Sequence, residues 1–130
     1  MKAVLHENEI SGAIVDAAIE VHRAFGGPGL LERVYQQALV WELESRGFTI
    51  EQEKLIPVVY KGRTAADPLR LDLLVEEKVI VECKALAQYN SIFEAQLLTY
   101  LRLTNLKLGL VINFGARRVV DGVHRVVNGL

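Results

Sequence analysis

Residues 78–85 read K-V-I-V-E-C-K-A, an apolar, β-branched run that carries an acid and a base. Val79, Ile80 and Val81 suit the pleated, half-buried surface of a strand. Alternate residues of a strand share a face, so Ile80, Glu82 and Lys84 look one way while Val79, Val81, Cys83 and Ala85 look the other. Three explanations fit an acid and a base on one face: a solvated edge, a buried ion pair, or a functional site. E-x-K alone does not separate them, because exposure is the ordinary fate of both residue types.

Upstream, Asp72 interrupts the run L-R-L-D-L-L-V at 69–75. In a strand from Leu69 to Val75, Leu71, Leu73 and Val75 share one face, and Asp72 is the acidic exception on the face of Arg70 and Leu74. Glu76-Glu77-Lys78 is short enough for a hairpin connection. A two-residue turn at Glu76-Glu77 sets Asp72 opposite Val81, with the carboxylates on opposite faces. An odd-length connection or a bulge sets Asp72 opposite Ile80 or Glu82 and brings them together, since one residue of slip flips the face.

In the second arrangement D-x9-E-x-K gathers two carboxylates and an ammonium. Close carboxylates repel, which raises one pKa unless a cation sits between them. Oxygen donors of this kind suit Mg²⁺ or Mn²⁺, which keep several waters and bind through one or two carboxylates plus substrate phosphate. The backbone carbonyl of Cys83 would add a neutral oxygen. Lys84 is placed to orient or help deprotonate an attacking water, and the chemistry is in-line hydrolysis of a phosphodiester.

Around this centre the periodicity is helical, then extended. Ile10, Ala13, Ile14, Ala17, Val21 and Phe25 follow helical spacing with Asn8 as cap, and Gly26-Gly27-Pro28-Gly29 breaks the helix. A second helix runs from about Leu30 to Arg46 on the stripe Leu31, Val34, Tyr35, Ala38, Leu39 and Leu43, stopped by Gly47. Phe48 to Tyr60 reads as a strand bent at Pro57, with Lys61-Gly62-Arg63 turning away and a loop at 64–68. A third helix spans about Ser91 to Thr104, a buried strand covers Leu108 to Phe114, and the tail suggests a terminal hairpin around Asp121-Gly122. The order α-α-β-β-β-α-β, with a helical crossover linking parallel strands, implies an α/β (α+β) fold: a central mixed sheet flanked by helices.

The chain's 130 residues fit one domain spanning 1–130, and 51% hydrophobic with 24% charged residues excludes wholesale disorder. No apolar run approaches the ~18 residues of a membrane span, and the N-terminus lacks a signal-peptide core, so a cytoplasmic protein without membrane contact is expected. The lone Cys83 permits neither an internal disulfide nor a cysteine-rich metal site, and reads as packing. His6, His22 and His124 lack metal-ligand spacing; His22 reads as a partly buried helix residue near the site. A net charge of −1 argues against a protein that coats DNA non-specifically, but not against an enzyme with a local basic rim.

The stretch G-L-L-E-R-V-Y at 29–35 resembles the signature of the GxxExxY family, a branch of the PD-(D/E)XK nuclease-like superfamily. V-H at 21–22, R-L-D-L-L-V, V-I-V-E-C-K-A, E-A-Q-L-L-T-Y-L and L-G-L-V-I-N-F-G are similar to that family in the same order. The resemblance implies a restriction-endonuclease-like core, α-β-β-β-α-β, with an extra N-terminal helix. It implies Asp72, Glu82 and Lys84 as the core site, Glu32 as a further metal-binding carboxylate from a helix, and Gln96 orienting the scissile phosphate or the water. Leu71 stands where the superfamily's namesake motif has proline. Read without the resemblance, Glu32 is a first-turn acid stabilised by the helix dipole, Gln96 a polar helix-edge residue, and Tyr35 and Tyr100 core aromatics with bonded hydroxyls.

The expectation is a divalent-metal-dependent phosphodiester hydrolase using Mg²⁺ or Mn²⁺, a nuclease whose nucleic-acid partner is DNA, with Lys61, Arg63, Lys84 and Arg102 as phosphate contacts. Two alternatives stand beside it: a non-catalytic nucleic-acid-binding or regulatory module that keeps the fold, and an oligomeric interaction protein. The near-neutral charge points to a second subunit, as in a homo-oligomer, or a partner protein supplying grip on substrate.

Overall fold

A computed structural model describes residues 4–130. Two helices, α1 (Glu7–Ala24) and α2 (Glu32–Ser45), precede the strands. Ile10, Ile14, Ala17, Ala18 and Val21 bury one face of α1, while Glu7 and Glu9 at its start and Arg23 at its end complement the helix dipole. The cap is His6 instead of the expected Asn8: His6 Nδ1 accepts from the Asn8 amide at 3.0 Å. Asn8 lies inside the first turn, and its side-chain oxygen accepts from Arg125 at 2.5 Å. At the other end of the glycine-rich break, the Tyr35 hydroxyl donates to the Gly27 carbonyl at 2.7 Å and accepts from the Leu30 amide at 3.2 Å, so this aromatic fixes the entry to α2.

The strands are β1 (Ile50–Ile56), β2 (Val59–Tyr60), β3 (Arg63–Thr64), β4 (Leu69–Val75), β5 (Val79–Lys84), β6 (Leu108–Asn113) and β7 (Val123–Val127), with α3 (Ile92–Thr104) crossing between β5 and β6. Five form a mixed sheet in the order β1-β4-β5-β6-β7, in which β5 and β6 are parallel and the other pairs antiparallel. This is the expected α+β architecture of helices on both faces of a central sheet. Pro57, which has no amide to donate, ends β1, and the chain continues as the separate β2–β3 hairpin. The tail departs from the expected hairpin: Val119–Gly122 forms a 3-10 turn, and Val123–Val127 pairs with β6. The apolar alternation of that strand is satisfied by the existing sheet edge.

Two apolar layers sandwich the sheet. Val79, Val81, Cys83, Leu108, Leu110 and Ile112 pack with α1 and α2, whereas Ile80, Leu74 and Val111 pack with Leu97 and Leu101 of α3. Every residue of β6 is buried, as its near-continuous apolar composition requires of a central strand covered on both faces. Among the described residues no helix is long and apolar enough to cross a membrane.

One expected facing fails. Leu73 and Val75 lie in the α1/α2 layer, but Leu71 lies in the α3 layer. The neighbouring strand changes face at the same level: Ile50 packs with α1/α2 and Ile56 with α3. Between the pairs Gln52–Leu73 and Lys54–Leu71 stands Glu53 with φ +52°, a left-handed conformation that breaks the two-residue alternation and turns the β1–β4 ribbon.

Gly115 lies where two backbones nearly touch: a Cβ there would overlap the carbonyl of Leu86. Gly115→Ala is therefore expected to destabilise the protein by about 3 kcal/mol, read as a lower denaturation midpoint in urea at an unchanged slope.

Candidate functional site

The connection between β4 and β5 is Glu76-Glu77-Lys78, three residues, with Glu76 and Glu77 both left-handed at φ +55° and +57°. Its odd length sets the register Val75–Val79, Leu74–Ile80 and Leu73–Val81. One step further, Asp72 meets Glu82 on the same face. The regular ladder stops there, and side chains take over its bonds. The Asp72 amide donates to Glu82 Oε2 at 3.0 Å, and the Cys83 amide donates to Asp72 Oδ2 at 2.9 Å. Two carboxyl groups are thus wedged between two strands, each anchored by a backbone N–H.

Burial dominates their electrostatics. The Glu82 carboxyl is pushed up to about 8, first by burial and then by the charge of Asp72. Asp72 is also raised, by burial and by Glu53, against the pull of the Cys83 amide, of a side-chain hydrogen bond with Glu82 and of Lys84. Burial and the repulsion between the two charges thus favour retention of a proton by the pair. Burial also pushes the Cys83 thiol well above its ordinary value, and its side chain lies in the α1/α2 core, as expected of a packing residue.

Lys84 follows on the face of Glu82, where its charge favours ionisation of Glu32, Asp72 and Glu82. Its ammonium rests over the ring of Phe93, 4.3 Å from the centroid. The segment after it is held by Asn113, whose side chain accepts from the Leu86 and Gly115 amides at 2.8 and 3.0 Å and donates to the Leu86 carbonyl at 3.0 Å. Asn113 thereby extends the sheet past the end of β5.

Glu32, the first residue of α2, lies within electrostatic reach of Lys84, Asp72 and Glu53, and its carboxyl is raised chiefly by burial. It does not close into a ligand shell with the pair: among the described residues, no three His, Cys, Asp or Glu side chains converge tightly enough to hold an ion. The protein presents a two-carboxylate edge. That donor set fits a hard cation that keeps its waters and takes further oxygens from substrate phosphate. A cation there would replace the shared proton.

Gln96 is exposed on α3, one turn before Tyr100, whose hydroxyl is raised by burial and then by the charges of Glu82 and Asp72. Tyr35 is a buried aromatic stacked on Phe114 at 4.8 Å, and His22 is buried beside both, with Nε2 3.1 Å from the Phe114 carbonyl. Lys61 and Arg63 are exposed on the β2–β3 hairpin. Arg102 lies in the last turn of α3, which leads to the Val79–Leu108 end of the sheet, away from Glu82 and Lys84.

Two residues join the group that sequence reasoning passed over. Gln36 is buried, and its Nε2 donates to Glu53 Oε1 at 3.1 Å and reaches the Asp72 carbonyl at 3.5 Å. Glu53 stands opposite Asp72 in register, with Arg70 Nε 3.8 Å from its Oε2. Gln36 follows Glu32 by four positions, a spacing that places both on one helical face and could have flagged it. Nothing in E-Q-E-K distinguishes Glu53 from its neighbours.

In metal-free buffer, Glu82 binds its proton more tightly folded than unfolded. Its contribution is fully present below the ordinary value near 4.5 and is lost as pH rises through about 8. Glu82→Gln, which can accept from the Asp72 amide and donate to the Asp72 carboxylate, is expected to flatten that part of the pH–stability curve. At pH 9 it should be more stable than wild type by about 2 kcal/mol in chemical denaturation.

The sequence profile of the PD-(D/E)XK nuclease superfamily matches residues 8–126, a span that contains the whole group. No curated protein and no solved structure matches the chain. With a mixed sheet flanked by helices, a carboxyl pair at the fork of two antiparallel strands and a lysine two residues beyond the second acid, the chain belongs to the PD-(D/E)XK nuclease superfamily.

Proposed function

We propose that this protein is a divalent-metal-dependent phosphodiesterase, a nuclease acting on DNA with Mg²⁺ or Mn²⁺, of the GxxExxY branch, with residues 1–130 as one catalytic domain. The observation that carries this reading is the cross-bonded pair Asp72 and Glu82, with Lys84 on the same face. One oxygen of each carboxyl is committed to a backbone amide, which fixes both groups; the remaining oxygens, with the Cys83 carbonyl and Glu32 nearby, are the candidate metal donors. Bound there, a divalent ion lowers the pKa of water and neutralises charge developing on the phosphate. The chain's own part is to hold the two acids rigidly, to supply a positive charge from Lys84 close to the reacting phosphate, and to orient that phosphate or the water with Gln96.

A second reading, a binding or regulatory module that keeps the fold without turnover, is favoured by the placement of the Lys84 ammonium over Phe93. The two part on direct measurement. Wild type is expected to cleave DNA in Mg²⁺ or Mn²⁺ and not in chelator, with Asp72→Asn and Lys84→Ala each slower by at least about 100-fold. Equal rates in all three proteins reject the assignment, and binding without cleavage in the wild type favours the module. Independently of turnover, titration calorimetry with Mn²⁺ at pH 7 in buffers of different ionisation enthalpy should register release of about one proton, absent in Glu82→Gln.

A further inference from the structure

The hairpin β2–β3 stands apart from the five-stranded sheet. Among the described residues its strands pair only with each other, through Val59–Thr64 and Tyr60–Arg63, and the Ala65 amide closes its base on the Val58 carbonyl at 2.8 Å. Every residue from 59 to 68 is exposed. Tyr60, 69% exposed, and Val59 are large apolar side chains that such a projection would not retain for packing.

Its charge is as uneven as its exposure. From Pro57 to Arg70 the chain carries Lys61, Arg63 and Arg70 against the single acid Asp67, in a protein whose net charge is −1. The turn Lys61-Gly62 has φ +48° and +77°, the mirror-image hairpin turn whose first position favours Asn, Asp or Gly. Lysine holds that left-handed position, and its ammonium lies 5.3 Å from the centroid of the Tyr60 ring. A strained cation and an exposed aromatic together form the tip.

The arm is aimed by the sheet. The β4–β5 ladder ends at Leu73–Val81, but the β1–β4 ladder continues to Ile56–Leu69, and the arm grows from that continuation. The strands therefore fork at the carboxyl pair, with Arg70 and the arm on one branch and Lys84 on the other. Asp72 and Leu69, three strand residues apart, are separated by about 10 Å.

We propose that the β2–β3 hairpin is a grip for single-stranded nucleic acid, stacking an unpaired base on Tyr60 and holding the flanking phosphates with Lys61 and Arg63. The direction of the held strand, toward Asp72 and Glu82, rests on the phosphodiesterase reading. A single strand is favoured over a duplex because an isolated surface aromatic needs an open base face, which paired and stacked bases do not offer.

Fluorescence anisotropy in chelator, with a labelled single-stranded DNA oligonucleotide and its duplex, tests the grip apart from cleavage. Wild type should bind the single strand about tenfold more tightly than the duplex. Tyr60→Leu should weaken single-strand binding by about tenfold, Tyr60→Trp should retain it, and the double variant Lys61→Ala, Arg63→Ala should make the log–log salt dependence shallower by about 1.4. All these side chains are exposed, so unchanged thermal midpoints should accompany the changes. Single-strand affinity unaltered in Tyr60→Leu overturns the proposal, as does a duplex bound equally well, or no binding by wild type. A shift of sedimenting mass in Tyr60→Leu would also overturn it, by assigning the arm to self-association. Binding that obeys these expectations in a protein that does not cut would sink the hydrolase reading alone; cutting with binding unaltered in the arm variants would sink the grip alone.

Discussion

Two carboxyl groups stand where two cross-strand hydrogen bonds would otherwise be, and the surrounding structure is organised to keep them there. An isolated buried carboxylate is costly, and a second one beside it is more so. The backbone amides of Asp72 and Cys83 offset part of that cost by donating to the intruding oxygens, and a proton retained by the pair, both of whose carboxyls are raised, offsets more. Apolar layers flank β4 and β5, Glu82 is buried and Asp72 only partly exposed, so the pair has little room to swing outward. Rigidity here follows from burial: acids free to swing outward would do so and lose their mutual geometry.

Several local rules are broken around this pair. Glu53 is left-handed in the middle of a strand, Asp72 and Glu82 are acids in a largely buried ribbon, and the face of β4 changes at Asp72. Strain and unfavourable burial of this kind survive only where the rest of the fold over-determines them. The support is visible in Gln36, which ties α2 to Glu53 and Asp72, in the Tyr35–Phe114 stack beneath the sheet, and in Asn113 and Gly115, which pin the segment after Lys84. Leu71 is fully buried in the α3 layer, and the Asp72 carboxyl is held by the Cys83 amide across the strand.

The fork that the carboxyls create joins their chemistry to the outer shape of the molecule. Where β4 parts from β5, the β1–β4 ribbon is free to carry the basic hairpin away from the sheet. In a protein of nearly neutral net charge, a concentration of cations on one projection matters more for an anionic ligand than the total, because screening confines such attraction to about 10 Å.

Periodicity was enough to determine the three helices, the strands from Leu69 and Val79, the buried run at Leu108 and the mixed architecture, because apolar residues must repeat as the backbone does to reach a common core. It also narrowed the position of Asp72 and Glu82 to a choice between two parities. That choice fell to the tertiary structure, since the conformation of Glu76 and Glu77 depends on the strands they join. The same holds for the cap at His6, where Arg125 from the far end of the chain engages Asn8, and for the tail, where the free edge of β6 captures Val123–Val127. Glu53 was invisible beforehand because an acid in a polar strand has no local signature, and Gln36 offered only its four-residue spacing from Glu32; contacts between residues distant in sequence bring them to the site. Sequence patterns record which residues need burial, whereas the partner each polar group finds is decided only when the layers close.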